Sequence, residues 1–164
     1  MRNVIFLDID GIVNTIQIHR HKLPWQRMIK KEGYYFDICL PSYHRVSNKQ
    51  AVRWLEKLAL ETESEIVITS SWRIGNSTKK IARALYNSGL SRKVKIIDST
   101  KQIGRRDDEI LEWVATHYVS NYVVLDDDSF DLEKVKDRLV QTKTHIGLTI
   151  EEYHEAKLKL SDKN

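Results

Sequence analysis

The sequence predicts a single domain of the α/β class, built on a doubly wound parallel sheet and spanning residues 1–164. Apolar, β-branched segments of strand length alternate along the chain with segments of helical period, the pattern of strand–helix–strand units. The apolar segments are continuously hydrophobic, as expected for strands that helices cover on both faces. A chain of 164 residues is long enough to bury one core and has the size of one domain.

The first strand and the first helix are separated by a segment without a clear period. Residues 3–9 (NVIFLDI) are mostly apolar and predict a buried strand. Residues 15–46 contain both prolines of the chain and predict a small insertion with little regular structure. Residues 47–62 then predict a helix, which Ser47 and Gln50 open at capping-box spacing.

The second and third strands are joined by a second helix. Residues 65–71 (EIVITSS) predict a buried strand that ends in hydroxyl side chains. Ser77 is the predicted N-cap of a helix that runs to Asn87, because Gly89 stands where glycine commonly follows a helix. Residues 94–98 (VKIID) predict the third strand.

The remaining elements continue this alternation to the last helix. An amphipathic helix is followed by a strand that ends in acids, a second helical segment and a short strand. Thr149 and Glu152 repeat the capping-box spacing and open the last helix. In order, the elements before that helix are residues 105–118, 121–128, 131–139 and 139–143.

Composition restricts the class of protein. Cys39 is the single cysteine, so no disulfide can form within the chain, and a reducing compartment is expected. No apolar run approaches the roughly 20 residues that span a bilayer, and residues 1–20 contain no signal-peptide pattern. We therefore expect a cytoplasmic protein without a membrane partner.

Positive charge is concentrated in residues 15–50. The whole chain carries a formal +4, whereas this segment contains seven basic and two acidic residues, a net +5. Such a surface attracts phosphates, and the aromatic residues interleaved with the charges are able to stack on bases. Arg27, Lys30 and Lys31 are therefore candidate contacts to a polynucleotide. The alternatives are a solvated loop without a ligand and aromatic side chains that pack the insertion onto the core.

Polar side chains follow three of the predicted strands. In doubly wound sheets, ligands bind beyond the carboxyl ends of the strands, so neighbouring strands would bring these side chains into one crevice. Carboxylates crowded there repel one another, and a hard cation such as Mg²⁺ removes the repulsion while leaving room for a phosphate. The acids therefore predict a metal site and phosphoryl chemistry. The three clusters are Asp8 and Asp10; Thr69, Ser70 and Ser71; and Asp126, Asp127 and Asp128.

Asp8 is the candidate nucleophile of this chemistry, with Asp10 beside it as the candidate proton carrier. Carboxylates that form aspartyl-phosphates are a known covalent strategy, and Gly11 allows the chain to turn sharply away from the site. The alternative for the two acids is an ordinary turn after a strand, since Asp-Gly is a common turn pair. The alternative for the acids at 126–128 is a cluster of helix N-caps.

Four segments together resemble the haloacid dehalogenase (HAD) superfamily of phosphohydrolases. FLDIDGIVN resembles its first motif, DxDG, and EIVITSSWR its second, a Ser or Thr that closes an apolar strand. RRDDEI stands in the place of the third, a basic residue at a helix start, and VVLDDD resembles the fourth, paired acids after a strand. Their order and spacing cover residues 3–131. The sequence patterns SSWR, RxxEI and LDD, together with GLT at residues 147–149, resemble those of small HAD domains associated with RNA repair.

The resemblance implies a fold and a role for each matching acid. The fold is a Rossmann-like HAD core with a small cap insertion after the first strand. Asp8 matches the nucleophile and a metal ligand. Asp10 matches the general acid/base, and its backbone carbonyl matches a further metal ligand. Asp126 and Asp127 match the metal-binding acids, with Mg²⁺ as the implied cofactor.

The resemblance leaves two candidates for each phosphate-binding position. Ser70 matches the phosphate-binding hydroxyl because it stands two residues before Trp72, and Thr69 is the alternative. Arg106 fits the basic position through RxxEI, and Arg105 is the alternative. Either arginine replaces the lysine that is commoner in the superfamily. Capping is an alternative role for the hydroxyls, and surface salt bridges for the arginines.

The expected function is that of a Mg²⁺-dependent phosphatase that acts on a nucleic-acid end or a nucleotide through an aspartyl-phosphate. The small insertion leaves the site open, which favours large phosphorylated substrates. The alternative is a small-molecule or phosphoprotein phosphatase of the same superfamily. A non-catalytic nucleic-acid-binding module is disfavoured, because a binder of polyanions gains nothing from five carboxylates in its crevice.

Overall fold

A five-stranded parallel sheet forms the centre of the protein; the computed structural model describes residues 2–15 and 47–162. The strands are β1 Arg2–Leu7, β2 Ser64–Ile68, β3 Ile96–Ser99, β4 Val119–Asp126 and β5 Leu139–Gln141. Every strand pairing is parallel, and the strand order is β3-β2-β1-β4-β5. The predicted α/β fold is confirmed, and β1 lies between β2 and β4, so the three polar strand ends are neighbours.

Helices cover both faces of the sheet. The α-helices of the described residues are α1 Lys49–Glu61, α2 Thr78–Asn87, α3 Arg106–Thr116 and α4 Ile150–Ser161, and the 3₁₀ helices are Ser71–Arg73 and Glu133–Arg138. The second of these 3₁₀ helices occupies the segment predicted as helical at residues 131–139. It is interrupted at Val135, whose backbone angles are not helical.

The helix starts follow the sequence signals, with one exception. Ser77 caps α2, and Thr149 and Glu152 form the predicted capping box of α4. The prediction of Ser47 as the first N-cap was wrong, because Asn48 fills that position and its side-chain oxygen accepts from two backbone N–H groups of the first turn. Ser47 instead forms an isolated bridge with the loop that follows β1.

The core consists of one cluster of apolar side chains on each face of the sheet. Ile5 and Leu7 point to the side covered by α1, α2 and α4, while Val4 and Phe6 point to the side covered by α3. All four side chains are fully buried. Because both faces of β1 are buried, the strand is apolar at every position from 4 to 7, and its side chains pack into the core on both sides of the sheet.

The first strand ends two residues earlier than its hydrophobic pattern predicts. It ends at Leu7, so Asp8 and Asp10 lie in the following loop, although the Asp8 N–H still donates to the carbonyl of Leu125 at 2.9 Å. The predicted insertion at residues 15–46 lies outside the described residues apart from Thr15, and so do Arg27, Lys30 and Lys31. No described helix has both the length and the apolar character needed to cross a membrane.

Candidate active site at the carboxyl edge of the sheet

The loop after β1 turns sharply so that the ends of β1 and β4 come together. Gly11 has φ +82°, a conformation that strains other residues. A Cβ atom there would lie 2.3 Å from Cγ of Asp127, so the space beside Gly11 is filled by that acid. The Gly11 carbonyl accepts from the Thr142 hydroxyl at 2.7 Å, which ties the loop to the end of β5. Glycine is therefore required at position 11 by the positive φ angle and by the Asp127 side chain beside it.

Three carboxylates meet at this edge. Asp8, Asp126 and Asp127 each offer an oxygen, and these oxygens lie within 4.8 Å of one another. Burial, followed by repulsion from Asp126, raises the pKa of Asp8 to about 7. Burial also raises the pKa of Asp126. Three clustered carboxylate oxygens fit a hard divalent cation, because its charge stabilises their ionised form and offsets the raised pKa of Asp8 and Asp126.

The other acids after β1 and β4, Asp10 and Asp128, have hydrogen-bond partners of their own, as does Asp127. The side chain of Asp10 is not among the three grouped carboxylates, and its Oδ2 accepts from the indole N–H of Trp72 at 2.9 Å. Oδ1 of Asp128 accepts from the backbone N–H of Phe130 at 2.9 Å, so that carboxylate closes a turn. Asp127 accepts from the Thr144 hydroxyl at 2.6 Å, which holds it toward the site.

The two candidate arginines point in different directions. Arg106 is the first residue of α3, and its guanidinium pairs with Asp126. Its charge also opposes the rise in the pKa of Asp8. Arg105, in contrast, pairs with a separate acidic group that includes Asp107 and Glu133. The structure thus brings Arg106 to the carboxylates and leaves Arg105 outside them.

The two candidate hydroxyls are both fully buried at the end of β2. The Ser70 hydroxyl forms a hydrogen bond that lowers the pKa of Asp8, and it accepts from the Trp72 N–H at 3.4 Å. The Thr69 hydroxyl has no hydrogen-bond partner within the described part of the chain, while its backbone N–H donates to Leu7 at 3.0 Å. Ser70 is therefore the hydroxyl that contacts the acids.

Two residues that the sequence left between core packing and a role near the substrate, or without a role, complete the site. Trp72 contacts Asp10, and Arg73 donates to the carbonyls of Thr69, Ser70 and Thr100. Arg73 also forms a buried ion pair with Glu109. The available signal was the segment SSWR, in which an indole and a guanidinium directly follow the strand-end hydroxyls. The acids that they contact, Asp10 and Glu109, lie far along the chain, so the pattern alone did not assign them a role.

The arrangement is that of a site for an anion and a cation together. Oxygens of three carboxylates lie close together and an arginine stands beside them. A fourth acid, Asp10, lies outside this group and has its own hydrogen-bond donor. Such a division of carboxylates supplies a nucleophile or metal ligands on one side and a proton carrier on the other.

Comparison with protein families gives one match. The model of a family described as the HAD domain in Swiss Army Knife RNA repair proteins matches residues 4–153, which include all four sequence motifs and the acids at both strand ends. The resemblance read from those motifs is thereby confirmed. No curated protein and no solved structure matches the chain.

Proposed function

Since the chain belongs to the HAD domain family of Swiss Army Knife RNA repair proteins, we propose that it is a metal-dependent phosphatase. It hydrolyses a phosphomonoester through an aspartyl-phosphate on Asp8, on a nucleic-acid end or a nucleotide. The observation that carries the proposal is the meeting of Asp8, Asp126 and Asp127 at the carboxyl edge of the sheet, beside Arg106. A divalent cation would balance the charge of the carboxylates and, with Arg106, allow the site to accept a phosphate.

Asp8, Asp126 and Asp127 are the side chains proposed to hold Mg²⁺, joined by the backbone carbonyl of Asp10. Oxygen ligands suit this cation, and the three carboxylates match that preference. When bound, Mg²⁺ would supply positive charge next to the phosphate and ionise Asp8 near neutral pH. The rest of the chemistry is assigned to side chains of this chain.

In the first step, a carboxylate oxygen of Asp8 attacks phosphorus and the bond to the leaving oxygen breaks. Asp10 gives its proton to that oxygen, so the product leaves as an alcohol. Ser70 and Arg106 are proposed to hold the phosphate oxygens, because one contacts Asp8 and the other is the cation beside it. Charge that develops on those oxygens is stabilised by donors already in place.

In the second step, the Asp10 carboxylate takes a proton from water, whose oxygen attacks the phosphorus of the aspartyl-phosphate. Inorganic phosphate leaves and Asp8 is restored. One residue therefore serves as acid and then as base, which requires Asp10 to remain outside the metal-holding carboxylates. Its separate hydrogen bond to Trp72 supports this division of roles.

The substrate is proposed to be a phosphorylated polynucleotide end. The family description names RNA repair, and the net +5 of residues 15–50 suits a polyanion. Arg27, Lys30 and Lys31 are the proposed contacts from that segment. Thr69 and Arg105 stay alternatives to Ser70 and Arg106, with less support from their surroundings.

A substrate screen tests the proposal directly. The protein is assayed with and without Mg²⁺ on oligoribonucleotides carrying a 3′- or 5′-phosphate, on nucleotides, on sugar phosphates and on phosphopeptides. We expect Mg²⁺-dependent release of phosphate, fastest from an oligonucleotide. Faster release from a sugar phosphate or a phosphopeptide would contradict the proposed substrate class but support the proposed phosphatase reaction. Oligonucleotide binding without hydrolysis of any substrate would contradict the phosphatase proposal and indicate a non-catalytic binding module.

A further inference from the structure

Trp72 connects two parts of the candidate active site that belong to different loops. It lies in the 3₁₀ helix Ser71–Arg73 after β2, and its indole N–H donates to Oδ2 of Asp10 at 2.9 Å. The other oxygen of that carboxylate, Oδ1, accepts a longer hydrogen bond from the Asn14 side-chain amide at 3.4 Å. The two oxygens of Asp10 therefore have different partners, and of these two described hydrogen bonds the one from the indole is the shorter.

The indole is held in place by its own surroundings. Its ring is half-buried and packs against the larger core cluster. The backbone N–H of Trp72 donates to the Ser70 hydroxyl at 3.4 Å, and its carbonyl accepts from the Asn76 amide at 2.9 Å. The donor that meets Asp10 thus sits on the same short turn as the hydroxyl that meets Asp8.

We propose that Trp72 is a positioning residue that orients the Asp10 carboxyl group and determines which of its oxygens faces the leaving group. The inference rests on the proposed function, in which Asp10 protonates the leaving oxygen. An indole N–H donates and never accepts, so its hydrogen bond at 2.9 Å holds Oδ2 as an acceptor. The transfer is therefore assigned to Oδ1, which has the longer hydrogen bond. As the bond from phosphorus to the leaving oxygen breaks, its electron pair stays on that oxygen and takes the Oδ1 proton.

The dependence of rate on the leaving group tests this role. Trp72→Phe keeps an aromatic ring but removes the N–H, and kcat/KM is measured with Mg²⁺ on p-nitrophenyl phosphate, phenyl phosphate and a nucleoside monophosphate. Nitrophenolate leaves readily without a proton, whereas an alkoxide needs one. We expect a loss of about 10- to 100-fold on the nucleotide, part of what a general acid contributes, and little change on p-nitrophenyl phosphate.

Trp113 offers a matched control. Its indole N–H donates to Oδ2 of Asp98 at 2.8 Å, the same kind of hydrogen bond in the smaller core cluster. Trp113→Phe should lower the melting temperature without steepening the leaving-group dependence. An equal loss on all substrates in Trp72→Phe would show a structural role and overturn the inference. Trp72→Leu provides a second variant should the first fail to fold.

The contact itself is tested without turnover. In protein labelled with ¹⁵N-tryptophan, the Trp72 indole resonance is identified by its absence in Trp72→Phe. Asp10→Asn should move that resonance and leave that of Trp113 in place; an unmoved resonance overturns the inference. A wild-type protein that hydrolyses no phosphomonoester would end the proposed function and this role with it. Hydrolysis with an unchanged leaving-group dependence in Trp72→Phe would end the role of Trp72 alone.

Discussion

Two arginine–carboxylate pairs each have one member in the first turn of α3, and they differ in how their charges are balanced. Arg73 pairs with Glu109 beneath the site, with side chains 9% and 3% exposed. Arg106 pairs with Asp126 at the edge of the cleft, with side chains 26% and 1% exposed. The two pairs contain the same chemical groups, so the difference between them comes from their neighbours.

The pair beneath the site is fully satisfied. Arg73 also donates to three backbone carbonyls, and Glu109 also accepts from the backbone N–H of Ile103 at 3.1 Å. These contacts join the ends of β2 and β3 to α3. A buried ion pair with its remaining donors and acceptors occupied is a structural tie, and removing one member leaves an uncompensated charge.

The pair at the cleft has an excess of negative charge. Asp126 faces Arg106, but Asp8 and Asp127 share the same space, and the pKa of Asp8 rises to about 7. A site that holds ionisable groups away from their ordinary pKa is a candidate for chemistry. The comparison separates two uses of the same ion pair. The Arg73–Glu109 pair, whose charges cancel, holds together the loops that carry the site. The Arg106–Asp126 pair, which has further carboxylates beside it, leaves negative charge for a cation to balance.

The largest expected effect comes from removing the central acid of the unbalanced site. Asp8→Asn should lower kcat by roughly 10⁴-fold or more, as loss of a nucleophile does, while the fold is kept. Without metal, the variant should also be more stable than the wild type at pH 8, because a buried acid with a raised pKa opposes folding once ionised. Steady-state kinetics and thermal melts measure the two effects. Retention of a tenth of the wild-type rate would exclude Asp8 as the nucleophile.

Breaking the balanced pair should act on stability. Glu109→Gln leaves the Arg73 charge buried without its partner, and we expect the free energy of unfolding to fall by about 3–5 kcal/mol. Chemical denaturation measures it. Glu112→Gln is the matched control, because Glu112 lies on the same helix and its pair with Lys101 is far more exposed. Such pairs contribute about 1 kcal/mol or less. Equal effects from the two variants would contradict the structural role of Glu109.

Breaking the unbalanced pair should act on rate. Arg106→Met removes the cation proposed to hold the phosphate, and kcat/KM should fall by about 10²- to 10³-fold, as when one preorganised donor is lost. Arg106→Lys keeps the charge and should recover part of the rate. Arg105→Met is the control from the adjacent position and should leave the rate within a few-fold of wild type. A larger loss at Arg105 would exchange the roles of the two arginines.

Metal and pH should change the balance of the same site. Mg²⁺ should raise the melting temperature by mass action, worth about 2.7 kcal/mol at a hundred times its Kd, and replacing both Asp126 and Asp127 by Asn should abolish the shift. In metal-free protein, Asp8 has a folded pKa of about 7 against 3.8 unfolded. Its contribution to stability is therefore present below about pH 4 and is lost as the pH rises to 7.

The pH dependence of metal binding has the opposite sign. Binding requires the ionised carboxylate, so the affinity for Mg²⁺ should rise with pH up to about 7 and then level off. Calorimetric titrations at several pH values measure this, and EDTA should remove activity that added Mg²⁺ restores. Full activity in the presence of chelator would contradict the metal-dependent scheme.

The smallest expected effect concerns the basic segment. Replacing Arg27, Lys30 and Lys31 by Gln should raise the KM for a phosphorylated oligonucleotide and leave kcat almost unchanged, as loss of uniform binding does. Each lost phosphate contact should reduce the salt slope by about one. Cleavage of p-nitrophenyl phosphate should not respond, because that substrate has no chain to contact. Equal effects on both substrates would end the polynucleotide proposal.

Much of the site could be predicted because it depends on strand ends. Asp8 and Asp126 follow apolar runs, and parallel topology brings the ends of such runs to one edge. The choice between Ser47 and Asn48 as N-cap could not be made, because the signal that starts a helix is uncertain by a residue. Trp72 and its partner Asp10 are 62 residues apart, so only the assembled fold brings them into contact.

The tie between Gly11 and Thr142 has a consequence for how the protein is made. Its partners are 131 residues apart, and the neighbouring bond from the Leu148 N–H to the Ile12 carbonyl, at 3.0 Å, spans a similar separation. At roughly 5–20 residues per second on the ribosome, the DxDG loop emerges on the order of 10 s before the segment that fastens it. The acids made first are thus among the last to be fixed in place, and a chain stalled after β4 would carry Asp8, the proposed nucleophile, on an unfastened loop.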